Sequence, residues 1–175
     1  MKLTTLAALS ILLATSASAW AGGGGSFIVK GKAFALQSAY AQTCPDPFDS
    51  SKQSTVIDFS GKAFDDQQIA TADDPASALA RALNAFASGE DRPAKVRVIL
   101  ARANPASPVQ DISYSIPGLS SQASARNLTV ELKHNDGKRV EGSLRSSDEA
   151  AKTARFGGGF FELDFALDVH PDSGC

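Results

Sequence analysis

Histidine and cysteine are scarce in this chain, with two of each among 175 residues, and the motifs that put them to chemical use are missing. No His-x-x-x-His spacing is present to hold zinc on a helix. No Cys-x-x-Cys pair offers redox or zinc-ribbon chemistry. A Gly-x-Ser-x-Gly nucleophile elbow is absent, and so is an EF-hand calcium loop. No cofactor or metal is therefore expected. Like charges never run to four in a row. A nucleic-acid surface needs a basic stripe to neutralise phosphates, so nucleic acid is not an expected partner. A polybasic lipid anchor is disfavoured for the same reason. Nowhere does an apolar stretch reach the roughly 18 to 20 residues that cross a bilayer, so no membrane span is expected.

What is present begins with an N-terminal export signal. Lys2 gives a positive start, Leu6 to Leu13 an apolar run, and Ala14 to Ala19 a small-residue cleavage region. This is the three-part layout of a secretory signal peptide covering residues 1–21. Cleavage after Ala19, before Trp20, and cleavage after Ala21, before Gly22, both satisfy the small-x-small rule. The first cysteine is Cys44, so no lipid is attached at the cleavage site. The short signal is bacterial in style, which places the protein in the periplasm or outside the cell.

About 155 residues remain, enough for one domain with its own core. Losing Lys2 from 17 basic residues leaves 16 against 19 acidic, a net charge near −3. In an oxidising compartment the pair Cys44 and Cys175 reads as a disulfide. A metal or redox cluster of His170, Asp172 and Cys175 is the alternative, but it lacks the paired spacing of a zinc site.

Gly22 to Ser26 reads as a flexible, glycine-rich lead-in, with residues 27–175 as a single β-rich domain. Phe34, Leu36, Ser38 and Tyr40 share one face of an early strand, and Val56 to Phe64 forms a second strand region. Gly31-Lys32-Ala33-Phe34 recurs as Gly61-Lys62-Ala63-Phe64, but no third copy makes it a repeat architecture. A helix is expected near 75–87: Asp73 or Asp74 caps it, Pro75 opens it, Gly89 follows it, and Leu79, Leu83 and Phe86 form its apolar face. Arg81 on it is a solvated side chain. Strands then resume at Val96–Ala101, Ile112–Ile116, Leu128–His134, Arg139–Leu144 and Phe160–Val169. Asn135-Asp136-Gly137-Lys138 joins two of them as a hairpin whose turn needs positive φ. In the last strand Phe161, Leu163, Phe165, Leu167 and Val169 alternate with Glu162, Asp164, Ala166 and Asp168, one face buried and one wet. The fold class that follows is mainly β, an antiparallel sandwich or barrel with one short covering helix. This layout resembles a scattered group of small exported bacterial proteins that share the early strand pair, the Asp-Gly-Lys hairpin and the Phe-rich final strand. The resemblance implies no activity and carries over no functional residues.

Candidate sites are few. His134 precedes a turn and His170 precedes Pro171, which suits solvated loop-edge histidines. Asp65-Asp66 and Asp73-Asp74 are adjacent carboxylates that point apart, so capping and solubility explain them. The acidic face of Glu162, Asp164 and Asp168 suits the wet side of a strand better than a cation site. Asn127-Leu128-Thr129 is a glycosylation sequon without meaning in a bacterium. Phe156-Gly157-Gly158-Gly159-Phe160 is either a flexible edge or a flap whose phenylalanines meet a partner. The leading expectation is a non-catalytic exported binding module for a protein or envelope partner. A hydrolase converging on His134 or His170 is the alternative, as is a carrier with an apolar cavity lined by Phe161 and Phe165. N-terminal sequencing of protein from its own host should begin at Trp20 or Gly22, and a retained Met1 would overturn the export reading.

Overall fold

The computed structural model describes residues 22–84, 87, 89–102, 108–123, 128–147, 159–171 and 175. The signal segment, Phe86, Asn127, Asp172 and most of the Phe156–Phe160 segment lie outside these. The described chain is mainly β, as its alternating pattern requires. Its strands are β1 (Gly22–Val29), β2 (Lys32–Leu36), β3 (Ser38–Pro45) and β4 (Gln53–Ser60), then β5 (Lys95–Ala101), β6 (Val109–Ile116), β7 (Leu119–Ala123), β8 (Leu128–Asn135), β9 (Arg139–Ser146) and β10 (Gly159–His170). Two short helices, α1 (Asp66–Ala70) and α2 (Pro75–Ala82), lie between β4 and β5. Among the described residues no helix is long and apolar enough to cross a membrane.

The strands form two antiparallel arrays. The first runs β2-β1-β10-β9-β8. The second runs β3-β4-β5-β6-β7. They are joined where Val169 and His170 of β10 pair in parallel with Ala41 and Gln42 of β3. The sheet is thus mixed rather than purely antiparallel. The reason is that β10 outruns its antiparallel neighbours by two residues and lands beside β3.

Both arrays contribute to one core. Phe27 of β1 stacks on Phe161 of β10 at 5.8 Å, and both rings meet Tyr114 of β6 at 5.8 and 5.9 Å. Phe59 of β4 meets Phe165 of β10 edge-on at 6.3 Å. Such pairs add about 0.5–1.5 kcal/mol each beyond burial. Phe161 and Phe165, put forward above as the wall of a carrier cavity, are instead packed in this core.

The covering layer comprises two helices rather than one. Asp65 caps α1, its carboxylate accepting from Gln67 N at 2.9 Å. Asp74, not Asp73, caps α2 through Ser77 N at 3.0 Å. The second helix ends at Ala82, capped by Leu83, short of the expected 87, and Asn84 follows with φ of 47°. Ile69, Leu79 and Leu83 close over Tyr40 of β3 as a small second core.

The Gly22–Ser26 segment is not a flexible lead-in. Its residues pair with Ala166 to Glu162 of β10 as the first half of β1. Glycine is required there by close approach. A Cβ on Gly23 would lie 2.6 Å from the Cβ of Ala39, and one on Gly25, whose φ is 143°, would collide with the Glu162 carbonyl. Glycine-rich composition reports freedom in an isolated chain, and tertiary packing here uses the missing side chain instead. Gly23→Val and Gly25→Ala should each destabilise the protein by about 1–3 kcal/mol in chemical denaturation. Unchanged midpoints would mean the segment does not pair as described.

Candidate functional site

The site is best built from the end of β3. Here Cys44 and Cys175 sit at disulfide distance, with Cα atoms 5.8 Å apart across 131 residues of sequence. In the chain-entropy account, closing so long a loop stabilises the fold by about 5 kcal/mol. Immediately after it, Pro45 ends the strand and the chain turns through residues 46–52 before β4 begins.

That loop is held by its own polar groups. One oxygen of the Asp46 carboxylate accepts from the backbone of Phe48 at 2.8 Å and of Asp49 at 3.1 Å. The other accepts from Ser54 Oγ at 2.9 Å and from the Gln110 amide of β6. The Gln110 carbonyl oxygen lies 2.8 Å from Ser54 Oγ, so the single hydroxyl hydrogen is shared between it and Asp46. Asp49 accepts from Ser51 Oγ at 2.6 Å and pairs with Lys52 at 2.9 Å. Backbone bonds from Asp46 N to Lys52 O and from Lys52 N to Asp49 O close the turn. The Gln110 side chain, with help from the Phe48 amide, holds the Asp46 carboxyl below its usual range. The Ser51 hydroxyl and Lys52 bring Asp49 down to about 2.

At the apex of this fixed loop stands Phe48, 76% exposed and the only large hydrophobic residue so exposed among those described. A single exposed apolar residue is ordinary. One held at the tip of a loop whose amides at Asp46, Phe48, Asp49, Ser51 and Lys52 are already hydrogen-bonded is less so, because much of its ordering cost has been met on folding.

The loop borders the outer face of the second array, and the floor of that face follows from strand alternation. Val96, Val98 and Leu100 point into the core, so Lys95, Arg97 and Ile99 point out. Beside the loop, Pro45, Pro47, Val56, Ile99 and Cys175 line a shallow depression of about 310 Å³. Arg97 is shared between it and a wider groove of about 560 Å³ over β5–β7. The groove floor carries two cross-strand rows, Lys95–Ser115–Ser120 and Arg97–Ser113–Gln122. Leu83 and Arg92 also line it. Arg97 forms a two-pronged ion pair with the buried Asp58 at 2.7 and 2.9 Å.

At the lower end of the core, Arg102 is held by Thr43 and Thr55, and Thr55 donates to Asn135 of β8 at 2.7 Å. Asn135 in turn donates to the Ala101 carbonyl at 3.2 Å. The guanidinium lies over the β8–β9 turn, where a Cβ on Gly137 would be 2.7 Å from Arg102 Nη1. The expected hairpin is there, but Gly137 is its one residue with positive φ, 87°. Asp136 completes the turn through its carboxylate, accepting from Lys138 N and Arg139 N at 2.9 Å each.

The other sequence-derived candidates do not gather at one place. His134 is exposed on β8. His170 ends β10 and stacks on Tyr40 at 4.9 Å. Asp46 and Ser54 form the buried Asp–Ser contact, and neither histidine is among the partners of that contact described above. Asp164 and Asp168 pair with Arg145 and Arg139 of β9 at 2.6 and 3.7 Å rather than converging. Phe156, Gly157 and Gly158 of the proposed partner loop fall outside the described residues. Gly159 and Phe160 are the start of β10, paired with Val29 and Ile28. Phe48 and the Arg92–Lys95–Arg97 group were missed by the motif search. The available signals were Asp-Pro-Phe-Asp inside a Pro-rich turn and the outward positions of Val96–Ala101.

No protein-family model, curated protein or solved structure matches the chain.

The lowered carboxyls of Asp46 and Asp49 set a pH dependence with a definite sign. A depressed folded-state pKa contributes order that is complete above the unfolded value, near 3.8, and lost as pH falls through the folded one. Protection of the Phe48 and Asp49 amides against hydrogen exchange, corrected for intrinsic rates, should hold at pH 5. It should fall between about pH 4 and pH 2. Protection unchanged at pH 2 would mean that Asp46 does not hold the loop.

Proposed function

We propose that this chain is an exported, non-catalytic binding module that captures a protein partner through the loop bearing Phe48. The observation that carries the proposal is the combination at that loop: an exposed aromatic ring on a backbone already fixed by Asp46 and Asp49. Interface energy concentrates in a few anchors, often aromatic, that enter a pocket on the partner. An anchor presented on an ordered loop loses little conformational entropy on binding. The adjoining depression of Pro45, Pro47, Val56 and Ile99 extends the apolar surface beside the ring. The Cys44–Cys175 pair at disulfide distance is consistent with an oxidising, exported location.

A photo-crosslinking phenylalanine analogue at position 48, expressed in the native cell, should yield one discrete protein adduct. The same analogue at Glu131, exposed on β8, should not. Phe48→Ala should weaken capture of that adduct partner by at least tenfold while leaving the melting temperature within a degree or two. Capture that survives Phe48→Ala unchanged would refute the role of this loop.

A further inference from the structure

We propose that the groove over β5–β7 is a binding site for an acidic polysaccharide. It uses none of the residues of the Phe48 loop and shares only Arg97 with the depression beside that loop. Because the test varies Arg92 and Lys95 and leaves Arg97 alone, this site and the protein-binding one stand or fall separately.

The first ground is charge. Three cations, Arg92, Lys95 and Arg97, line the groove against one carboxylate, Asp58. That carboxylate is already committed to Arg97 by two hydrogen bonds. Glu90 and Asp91 precede Arg92 in sequence but do not line the groove. Like charges crowded on a partly desolvated wall raise the energy of the free protein, and a bound anion lowers it. Lys95 registers this crowding. Burial, then the neighbouring Arg92 and Arg97, push its pKa down.

The second ground is an unused donor. Arg92 Nε is shut off from solvent and has no hydrogen-bond partner among the described residues. A buried donor left unpaired costs about 1–3 kcal/mol, so a guanidinium that turns to a ligand oxygen in the groove gains what the present rotamer forgoes.

The third ground selects the ligand class. Protein interface cores are enriched in aromatic residues and Arg and depleted in Lys and Ser. Here Arg92 and Arg97 are of the enriched kind, but the floor between them is of the depleted kind, Lys95, Ser113, Ser115, Ser120 and Ser121 with Gln122, and its one aromatic residue, Tyr114, is packed in the core. Hydroxyls and an amide in rows between cations match a ligand that carries many hydroxyls and regularly spaced oxyanions, which is the chemistry of a uronate-bearing sugar chain. A groove of about 560 Å³ falls within the size range of ligand sites.

The test uses the whole mature protein and four probes: an oligogalacturonate, a neutral dextran oligomer, a poly-glutamate peptide of equal charge, and inorganic phosphate. Oligogalacturonate should bind with an affinity that falls as salt rises. Dextran should not bind, and poly-glutamate and phosphate should bind at least tenfold more weakly. Arg92→Gln and Lys95→Gln should each reduce oligogalacturonate affinity about tenfold or more at an unchanged melting temperature. Lys133→Gln on β8 removes an exposed cation elsewhere and should change nothing. Either variant that fails to fold is replaced by Ser120→Ala with Gln122→Ala, which should lower affinity at least threefold. Equal or tighter binding of poly-glutamate would make the groove a peptide site and overturn the proposal. Equal binding of phosphate would reduce it to a free-anion site, and no binding of oligogalacturonate, or affinity indifferent to the variants, would remove it.

Discussion

Strand β10 is hydrogen-bonded along both of its edges, to β1 on one side and β9 on the other, and its last two residues reach β3. Its inward side chains Phe161, Leu163, Phe165 and Leu167 are all buried. A strand so placed belongs to both arrays at once. The first array needs it to join β2-β1 to β9-β8, and the second array is laterally continuous with it through β3. Close approach of neighbouring strands also explains three of the four glycines that open the described part of the chain. A Cβ would strike Ala39 of β3 at Gly23, the Leu36 carbonyl of β2 at Gly24 and the Glu162 carbonyl of β10 at Gly25. Chain segments far apart in sequence must therefore meet before this core exists, which favours slow, cooperative folding.

The second tie lies at the far end of the same strand. Beyond His170 the chain ends at Cys175 beside Cys44, so the end of β3 is held by the parallel pairing and by the cysteine pair. This anchors the base of the 46–52 loop. The loop's upper part is anchored by Asp46 to Ser54 and to Gln110, which come from two further strands. A projecting aromatic is thus fastened to β3, β4 and β6. Rigidity at Phe48 is a product of the sheet and not of the loop sequence alone.

On the outer face, the same alternation that fills the core with Val96, Val98 and Leu100 puts Lys95 and Arg97 outward. The helices cover only the Tyr40 side of that face. What remains open is the β5–β7 side, where the cations and serines lie. The groove is consequently the part of the array that the short α1–α2 cover does not reach.

Much of the fold was legible in the sequence because its signals are local. The period-two pattern of Phe161 to Val169, the Asp-Gly turn, Asp74-Pro75 ahead of the Ala-rich helix and the pairing of two lone cysteines each depend on neighbouring residues or on simple counting. Short β7, Leu-Ser-Ser-Gln-Ala, has little apolar content and was invisible for that reason. Gly22–Gly25 was misread because absence of a side chain means freedom in a chain alone and close packing in a sheet. The candidate sites were harder still. Asp46 meets Gln110 across 64 residues, and Lys95 meets Ser115 and Ser120 only through register. The sequence by itself determined which residues turn inward, where the chain turns and which cysteines pair. Only the tertiary structure decided which outward residues share a face, because cross-strand register brings distant residues together without leaving any mark on either segment alone.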